Sequence, residues 1–581
     1  MTGRLVVEDI RPRTPGPDRY AKAIVGERVR VTAVAFRDGH DPLAGRVLLR
    51  RGDGTVVCSC ELVALGNDEW EGYVVPTGVG PHLLEVQAWT TRHGSAGAVL
   101  DADTATDLTT SDPVRLWVDR ERALVGAWYE LFPRSFGGLS GVLGRLPDLA
   151  AMGFDVLYLP PIHPIGVTFR KGPGNTLQAG PDDPGSPWAI GSAEGGHTAI
   201  DPGLGTMEDF RELVGQARAQ GIEIALDYAL QCSPDHPWVH EHPEWFHHRP
   251  DGTIACAENP PKIYQDIYPL NFWPPEEADR VALWEACRAI LEYWISHGVR
   301  IFRVDNPHTK PMAFWEWVIA EIAARHPDVI FLAEAFTRPK VMARLAEAGF
   351  SQSYTYFTWR TQQHGPEGLW AYLEEVSRGR ASDYMRPNFW PNTPDILSGP
   401  LRHGSPAAFA LRLVLAATAS PSYGIYSGYE LYENEPASES NEEYLHSEKY
   451  EIRRRHFSSP GNLSPLITAL NRIRRSHPAL QRLHSLTMHP TTNPAVIAYS
   501  KRSDDGDDVV LTVVNLDPGR AQEAILTFDP AGAGLDPSRS YRALDELTGE
   551  SYDWFGPQLF VRLDPAVRVA HVLSITQGGP S

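Results

Sequence analysis

Four acidic residues end short apolar runs, and their types and order define the chemistry open to this chain. Gly298-Val299-Arg300-Ile301-Phe302-Arg303-Val304-Asp305 reads as a buried strand running into a loop at Pro307. Side chains two apart on a strand share a face, so Arg303 and Asp305 point the same way. A fixed guanidinium lowers the pKa of a neighbouring carboxylate and keeps it ionised, the state a nucleophilic carboxylate needs. Glu334 ends Phe331-Leu332-Ala333-Glu334 in an apolar setting. Burial and a nearby carboxylate both raise its pKa, which suits a general acid. Asp227 ends Ile224-Ala225-Leu226-Asp227, and Asp395 follows Asn392-Thr393-Pro394. An ionised Asp facing a protonated Glu is the pair that retaining glycoside chemistry uses, with carboxyl groups ~5–5.5 Å apart. A lone Arg-x-Asp is more often a buried structural ion pair. Four strand-end acids in order shift the balance to catalysis.

These acids need a frame that gathers strand ends. From Val125 onward, apolar strands alternate with helical patterns. Strands are expected at 127–132, 156–160, 222–227, 299–305, 329–334, 353–358, 388–395 and 423–426, with helices such as 283–295 and 314–324 between them. Eight such repeats predict a closed (β/α)8 TIM barrel over residues 119–484. The intervals 163–200 and 229–273 are crowded with Pro, Gly, His and Trp and are too long for plain connections. Loops that follow barrel strands sit on the catalytic face. Residues 20–118 alternate as strands at 28–34, 46–49 and 83–89, which predicts an N-terminal β-sandwich over 1–118, and 91–112 read as an irregular link. A helix carrying Leu466, Ile467, Leu470 and Ile473 ends near Pro478. Strand alternation then returns at 496–499, 509–514, 524–528 and 569–575, predicting a C-terminal β-sandwich over 485–581. The expected fold class is therefore multidomain, a central barrel flanked by two sandwiches.

Composition excludes several partners. The 581 residues carry a net charge of -20, which repels nucleic acid and anionic membrane. No run approaches the ~20 apolar residues of a membrane helix, and the N-terminus has no apolar signal segment, so a cytoplasmic protein is expected. With 50 Gly and 49 Pro the chain is rich in structured loops. The five cysteines include no CxxC pair, so neither a zinc site nor a disulfide is expected. Cys58 and Cys60 would share one strand face with parallel side chains. His236, His240, His242, His247 and His248 cluster, but no H-E-x-x-H occurs and prolines break the segment. Packing and hydrogen bonding are the expected roles, and no metal is assigned. Trp238, Trp245 and Trp273 could stack on sugar or simply hold the long insert together. Lys171-Gly172-Pro173-Gly174 lacks the G-K-[ST] of a nucleotide loop.

With Asp227, Arg303-Val304-Asp305, Glu334 and Asp395 in this order, the chain resembles the α-amylase superfamily, retaining enzymes with a barrel core. The resemblance implies that Asp305 is the nucleophile, Glu334 the acid/base, and Asp395 a stabiliser gripping sugar hydroxyls. It is closer still to that superfamily's maltosyltransferase family. The motifs that carry it include Leu159-Pro160-Pro161-Ile162-His163-Pro164, Glu194-Gly195-Gly196-His197, Gln231-Cys232-Ser233-Pro234-Asp235-His236, Gln265-Asp266-Ile267-Tyr268 and Ser447-Glu448-Lys449-Tyr450. That resemblance implies a maltose 1-phosphate donor, a linear α-1,4-glucan acceptor and no cofactor. It implies a donor site of Lys171, Gln231, Asp266, Asn306, Lys449 and Tyr450, with Asn259, Lys262 and Tyr264 on the phosphate. A departing phosphate needs cations and hydrogen-bond donors where its charge develops, and these residue types supply them.

The departures also inform. Hydrolytic amylases place a His before the fourth acid, and this chain has Pro394. They place a calcium-ligating Asn after the first acid, and this chain reads Asp227-Tyr228-Ala229-Leu230. Both favour the transferase and argue against a calcium site. The family's dimer-forming helical insert has no room between Trp89 and Val118, which argues against a homodimer built that way. Phe136 stands where an acid is usual. Two alternatives remain at this level: a hydrolase or trehalose/maltose isomerase of the same superfamily, and a non-catalytic glucan-binding protein.

Overall fold

Residues 4–91, 101–103, 105–259, 262–365 and 368–577 are described by a computed structural model. The side chain of Asn259 lies outside the described residues, as does much of the 91–112 link. The centre holds eight strands: β1 (Gly126–Glu130), β2 (Val156–Leu159), β3 (Glu223–Tyr228), β4 (Ile301–Val304), β5 (Ile330–Ala333), β6 (Gln352–Ser353), β7 (Asn388–Phe389) and β8 (Ser422–Tyr426). Their order is β6-β5-β4-β3-β2-β1-β8-β7, and every neighbouring pair is parallel. A parallel bridge from Ser353 to Pro387 joins β6 to β7 and closes the ring. One helix of nine or more residues follows each strand: α1 (Leu139–Ala151), α2 (Met207–Ala219), α3 (Glu277–Ser296), α4 (Met312–Arg325), α5 (Pro339–Glu347), α6 (Leu369–Arg378), α7 (Pro406–Ala419) and α8 (Ser464–Ser476), with a single extra turn at Pro237–Glu241 in the insert after β3. This is the expected (β/α)8 barrel.

The strands are apolar on both faces because both are covered. Trp128, Tyr158, Ala225, Ile301, Leu332, Tyr354 and Trp390 fill the lumen, while Leu157, Ile224, Phe302 and Phe331 face the helices. Phe302 is buried between the rings of Tyr228 and Phe331. Its truncation to Ala would cost about 3–5 kcal/mol through the cavity it leaves.

Two strands are much shorter than their sequence reads. The run 353–358 pairs only as Gln352–Ser353, because the Thr355 hydroxyl accepts the Phe357 N–H and turns the chain into a 3-10 helix at Tyr356–Trp359. The run 388–395 pairs only as Asn388–Phe389, because Pro391 and Pro394 offer no ladder N–H.

β-Sandwiches flank the barrel. The N-terminal one stacks a four-stranded sheet on a six-stranded sheet over Val31, Val47, Val86 and Leu116. Arg386, just before β7, reaches Asp119 at 2.5 Å and the Ala23 carbonyl at 2.8 Å. Lys22 donates to the carbonyls of Ala346 and Phe350, just before β6. These contacts seat the sandwich at the N-terminal ends of the strands, away from the acids. The C-terminal sandwich packs a six-stranded sheet on a two-stranded one, and Tyr499 bonds Thr418 of α7 at 2.6 Å.

Candidate active site

The acids meet at the C-terminal mouth of β3, β4 and β5. The Asp305 N–H continues the ladder to the Tyr228 carbonyl at 3.2 Å. Asn306 then turns into the left-handed region, φ 42°, and aims its own N–H at Glu334 Oε2, 3.2 Å away. Its side-chain amide donates to Asp305 Oδ1 at 3.4 Å. Arg303 is the hub. Its guanidinium lies 3.0 Å from Asp227 Oδ2, 3.0 Å from Asp305 Oδ1 and 2.7 Å from Glu334 Oε1. The rings of Tyr158 and Tyr354 flank it at 5.6 and 5.9 Å.

One fixed cation cannot hold three buried carboxylates ionised, so protons must remain. Burial pushes Glu334 up to about 8, with Asp305, Asp395 and Asp227 adding to the push and Arg303 opposing it. Burial likewise lifts Asp227 to about 7, against Arg303 and hydrogen bonds from Tyr158 and Trp188. Asp305 goes the other way. Burial opposes its charge, but Arg303, Lys310 and a hydrogen bond from Glu334 outweigh it and hold its carboxyl below the usual range. Neighbouring carboxyls thus sit in opposite protonation states at neutral pH.

Asp395 stands across the mouth, ion-paired to Lys449. The ammonium lies over Trp188 at 5.5 Å and Tyr450 at 5.8 Å. Burial opposes its charge, and Asp395 more than compensates, so it stays protonated. Lys171 donates to Gln265 and to the Ile263 carbonyl. Beside it Asp266 is buried, and neither of its carboxylate oxygens has a partner among the described residues. Burial raises its pKa to about 6, opposed by its own backbone, Lys171 and Lys449. Gln231 donates to the Trp188 carbonyl at 3.4 Å. Tyr264 feels the charges of Lys449 and Lys262, while Lys262 itself pairs with Glu443. Direct contacts therefore join Asp227, Arg303, Asp305, Asn306 and Glu334, and a second group gathers around Lys449 and Asp266.

The long inserts are tied to each other. Asp235 accepts the N–H groups of Val167 and Thr168 at 2.6 and 2.7 Å. His236 accepts the Trp238 N–H on Nδ1, so its Nε2 carries the proton given to His197 Nδ1 at 3.0 Å. His197 Nε2 in turn donates to the Ala229 carbonyl at 3.0 Å. A Cβ on Gly196 would fall 2.2 Å from His236, which accounts for the glycine before His197. The ligand atoms of His197, His236 and Cys232 lie within 4.8 Å of one another. Both nitrogens of each ring are already committed, however, and burial keeps His197 neutral and lowers His236 to about 3. The trio fits a hydrogen-bonded chain and not a metal. The other histidines diverge, His242 stacking on Trp245 at 3.8 Å. Trp238 stacks on His197 and meets Trp245 edge-on, so both hold the insert, whereas exposed Trp273 packs on Trp284 of α3.

Four residues escaped the sequence reading. Glu130 ends β1 and lies buried near Arg303, its pKa raised well above the ordinary range by burial. It is an acid closing an apolar strand, the signal that found the others. Tyr158 donates to Asp227 at 2.6 Å, Trp188 at 3.3 Å. Lys310 donates to the Asp305 carbonyl at 3.1 Å. Nothing local marks these three. Phe136 stacks on Phe457, ring centroids 5.7 Å apart, with Arg145 over the far ring at 4.0 Å.

Residues 3–95 match the family described as alpha-1,4-glucan:maltose-1-phosphate maltosyltransferase, domain N/S. Residues 102–357 match alpha amylase, catalytic domain, and 488–575 match GLGE, C-terminal. The chain is 50% identical over 654 residues to alpha-1,4-glucan:maltose-1-phosphate maltosyltransferase 2 of Streptomyces coelicolor, covering 99% of this chain and 96% of that one. It is 41% identical over 684 residues to the enzyme of that name from Mycobacterium tuberculosis, with the same coverages. Both alignments run longer than this chain's 581 residues, so those relatives carry segments without a counterpart here. Among solved structures, an α-amylase from Lactobacillus plantarum superposes with TM-score 0.57 at 20% identity, covering 78% of this chain and 99% of that one. A maltogenic α-amylase from Thermotoga neapolitana gives 0.59 at 18%, covering 79% and 99%. These two likenesses establish the fold.

Proposed function

This chain belongs to the α-1,4-glucan:maltose-1-phosphate maltosyltransferase family of the α-amylase superfamily, and from that premise we propose how its barrel mouth moves a maltosyl group. The donor is α-maltose 1-phosphate and the acceptor the non-reducing end of an α-1,4-glucan. Asp305 attacks the anomeric carbon, and the C–O bond to phosphate breaks with its electrons on the phosphate. Glu334 gives its proton to that oxygen, so the phosphate leaves protonated and Glu334 is left as a carboxylate. Glu334 then takes the proton of the acceptor 4-hydroxyl, whose oxygen attacks the same carbon and frees Asp305. Two inversions give net retention. The observation that carries this reading is the pair of carboxyls on one guanidinium with oppositely displaced pKa values.

Asp395 and Asp266 accept sugar hydroxyls in this scheme. The unpartnered oxygens of Asp266 support its part, because a buried unsatisfied carboxylate gains most from a hydroxyl donor. Lys171, Gln231, Asn306, Lys449 and Tyr450 complete the donor site. Asn259, Lys262 and Tyr264 are the phosphate contacts of this scheme, and Lys262 must share its charge between phosphate and Glu443. The linked inserts exclude water from the covalent intermediate, so transfer outruns hydrolysis. A homodimer through the helical insert is not part of this proposal. Five free thiols support a reducing, cytoplasmic compartment.

Incubation with maltose 1-phosphate and glycogen tests the reading. Phosphate release with chain lengthening is expected. Reducing sugar from starch, without phosphate release from the donor, would overturn it in favour of hydrolysis.

A further inference from the structure

Two cavities that the barrel chemistry leaves unused join into one canyon between the N-terminal sandwich and the barrel. They measure about 640 and 430 Å³ and share Arg11, Arg30, Thr32 and Asp383. Arg11 closes the first strand of the sandwich, Leu5–Arg11. Arg30 and Thr32 stand on the outer face of Val29–Arg37, because Val29, Val31 and Ala33 alternate into the core. The opposite wall is the end of α6 at Arg378 and the 3-10 turn Arg380–Asp383 that follows it. Arg482 and, from the C-terminal sandwich, Asp504 close one end.

The canyon is cationic in a chain whose net charge is -20. Seven arginines and Lys22 line it against five carboxylates, and those carboxylates are largely engaged. Asp383 pairs with Arg11 at 2.8 Å and Asp504 with Arg482 at 2.6 Å, while Glu27 accepts the Ile24 N–H at 2.9 Å. Arg13, Arg378 and Arg380 make no ion pair among the described residues, and Arg28 lies over the Tyr73 ring at 3.7 Å. Burial lowers the pKa of Arg378, with Glu374 opposing and Arg30 adding its repulsion, so two guanidinium groups are held close enough to repel. A cleft lined by one sign of charge focuses its field on an incoming counter-ion.

Guanidinium forks match phosphate oxygens two by two. Arg13 and Arg380 line the larger cavity, Arg28 and Arg378 the smaller, so the unpaired cations are strung along the canyon and suit phosphates in a row. The volume is that of a small-molecule site, and the charge of the whole chain repels a nucleic-acid polymer. Trp70 and Tyr384 add aromatic wall to the larger cavity. We propose that this canyon binds a small linear polyphosphate, free or carried by a nucleoside, whose phosphates bridge the N-terminal sandwich to the barrel through Arg13, Arg378 and Arg380. The inference is independent of the maltosyl-transfer reading.

Isothermal titration calorimetry on the full-length enzyme tests it, with inorganic tripolyphosphate and ATP as separate probes in metal-free buffer. An Arg378→Gln/Arg380→Gln variant is expected to bind at least about tenfold more weakly than the native enzyme. Its transfer rate without polyphosphate should stay within about twofold. Affinity for tripolyphosphate equal to or above that for ATP identifies the phosphate chain alone as the ligand. Tighter binding of ATP brings in the nucleoside. Binding of neither probe, or equal binding by native enzyme and variant, as a site at the barrel mouth would give, overturns the proposal. Should the double variant fail to fold, Arg13→Gln on an exposed side chain decides by the same criterion, with binding about threefold weaker expected and unchanged affinity excluding the canyon.

Discussion

Arg303 Nη2 sits 2.7 Å from Glu334 Oε1, so the acid that must carry a proton leans on a permanent cation. Alone, that contact would strip the proton. The same guanidinium also serves Asp305 and Asp227, and burial together with those carboxylates restores the proton on Glu334. Arg303→Lys should therefore do more than weaken an ion pair. A point charge cannot hold three carboxylates in a planar fork. The expected loss in kcat is about 10²–10³-fold, with a displaced alkaline limb of the pH profile. A conserved profile with modest loss would argue that Arg303 only packs.

The covalent step makes the sharpest demand. Asp305→Ala should lower transfer by about 10⁴-fold or more without unfolding the chain. In Glu334→Ala the first step is slowed, yet phosphate is a good enough leaving group to depart, while the second loses its base. Mass spectrometry after incubation with maltose 1-phosphate should then find a maltosyl adduct on the peptide containing Asp305. An adduct on another residue removes the proposed nucleophile.

The pH dependence follows from opposite shifts. Transfer needs Asp305 ionised and Glu334 protonated, so kcat/KM should hold through neutrality and fall tenfold per unit above about 8. Stability has its own sign. Glu334 binds its proton more tightly folded than unfolded, so its contribution is complete below about 4.5 and is lost as pH rises through about 8. Melting temperature should drop between pH 5 and 9 more steeply in the native enzyme than in Glu334→Gln. Parallel curves would count against a raised Glu334.

Lys449 links Asp395 to the rings of Trp188 and Tyr450. Lys449→Met should raise KM for maltose 1-phosphate about tenfold or more and change turnover less. Initial rates over a range of donor concentrations separate the two. An effect on turnover alone would move Lys449 from binding to chemistry.

The chain Trp238–His236–His197–Ala229 commits both nitrogens of each imidazole. His197→Leu leaves a buried donor and a buried carbonyl unpaired, at roughly 2–5 kcal/mol. Thermal unfolding should shift down by several degrees, whereas dialysis against EDTA should leave the transfer rate unchanged. Loss of activity on chelation, restored by zinc, would return the trio to the metal ligands.

Much of the arrangement was legible in the residues. Short, largely apolar runs closed by Asp227, Asp305 and Glu334 show where strands end, and eight β-then-α repeats leave a barrel as the closure that buries them all. Strand length was not legible at β6 and β7, because a threonine cap and two prolines act only once their neighbours are placed. Nor did spacing reveal that Tyr158 and Trp188 surround the same carboxylates, since they come from separate segments of the chain, whereas Glu130 closes an apolar strand as the other acids do. Local sequence determined which side chains can ionise and which face they take. Only the folded barrel decided which carboxyl keeps its proton, because that depends on the summed field of charges brought within a few ångströms by strands far apart in sequence.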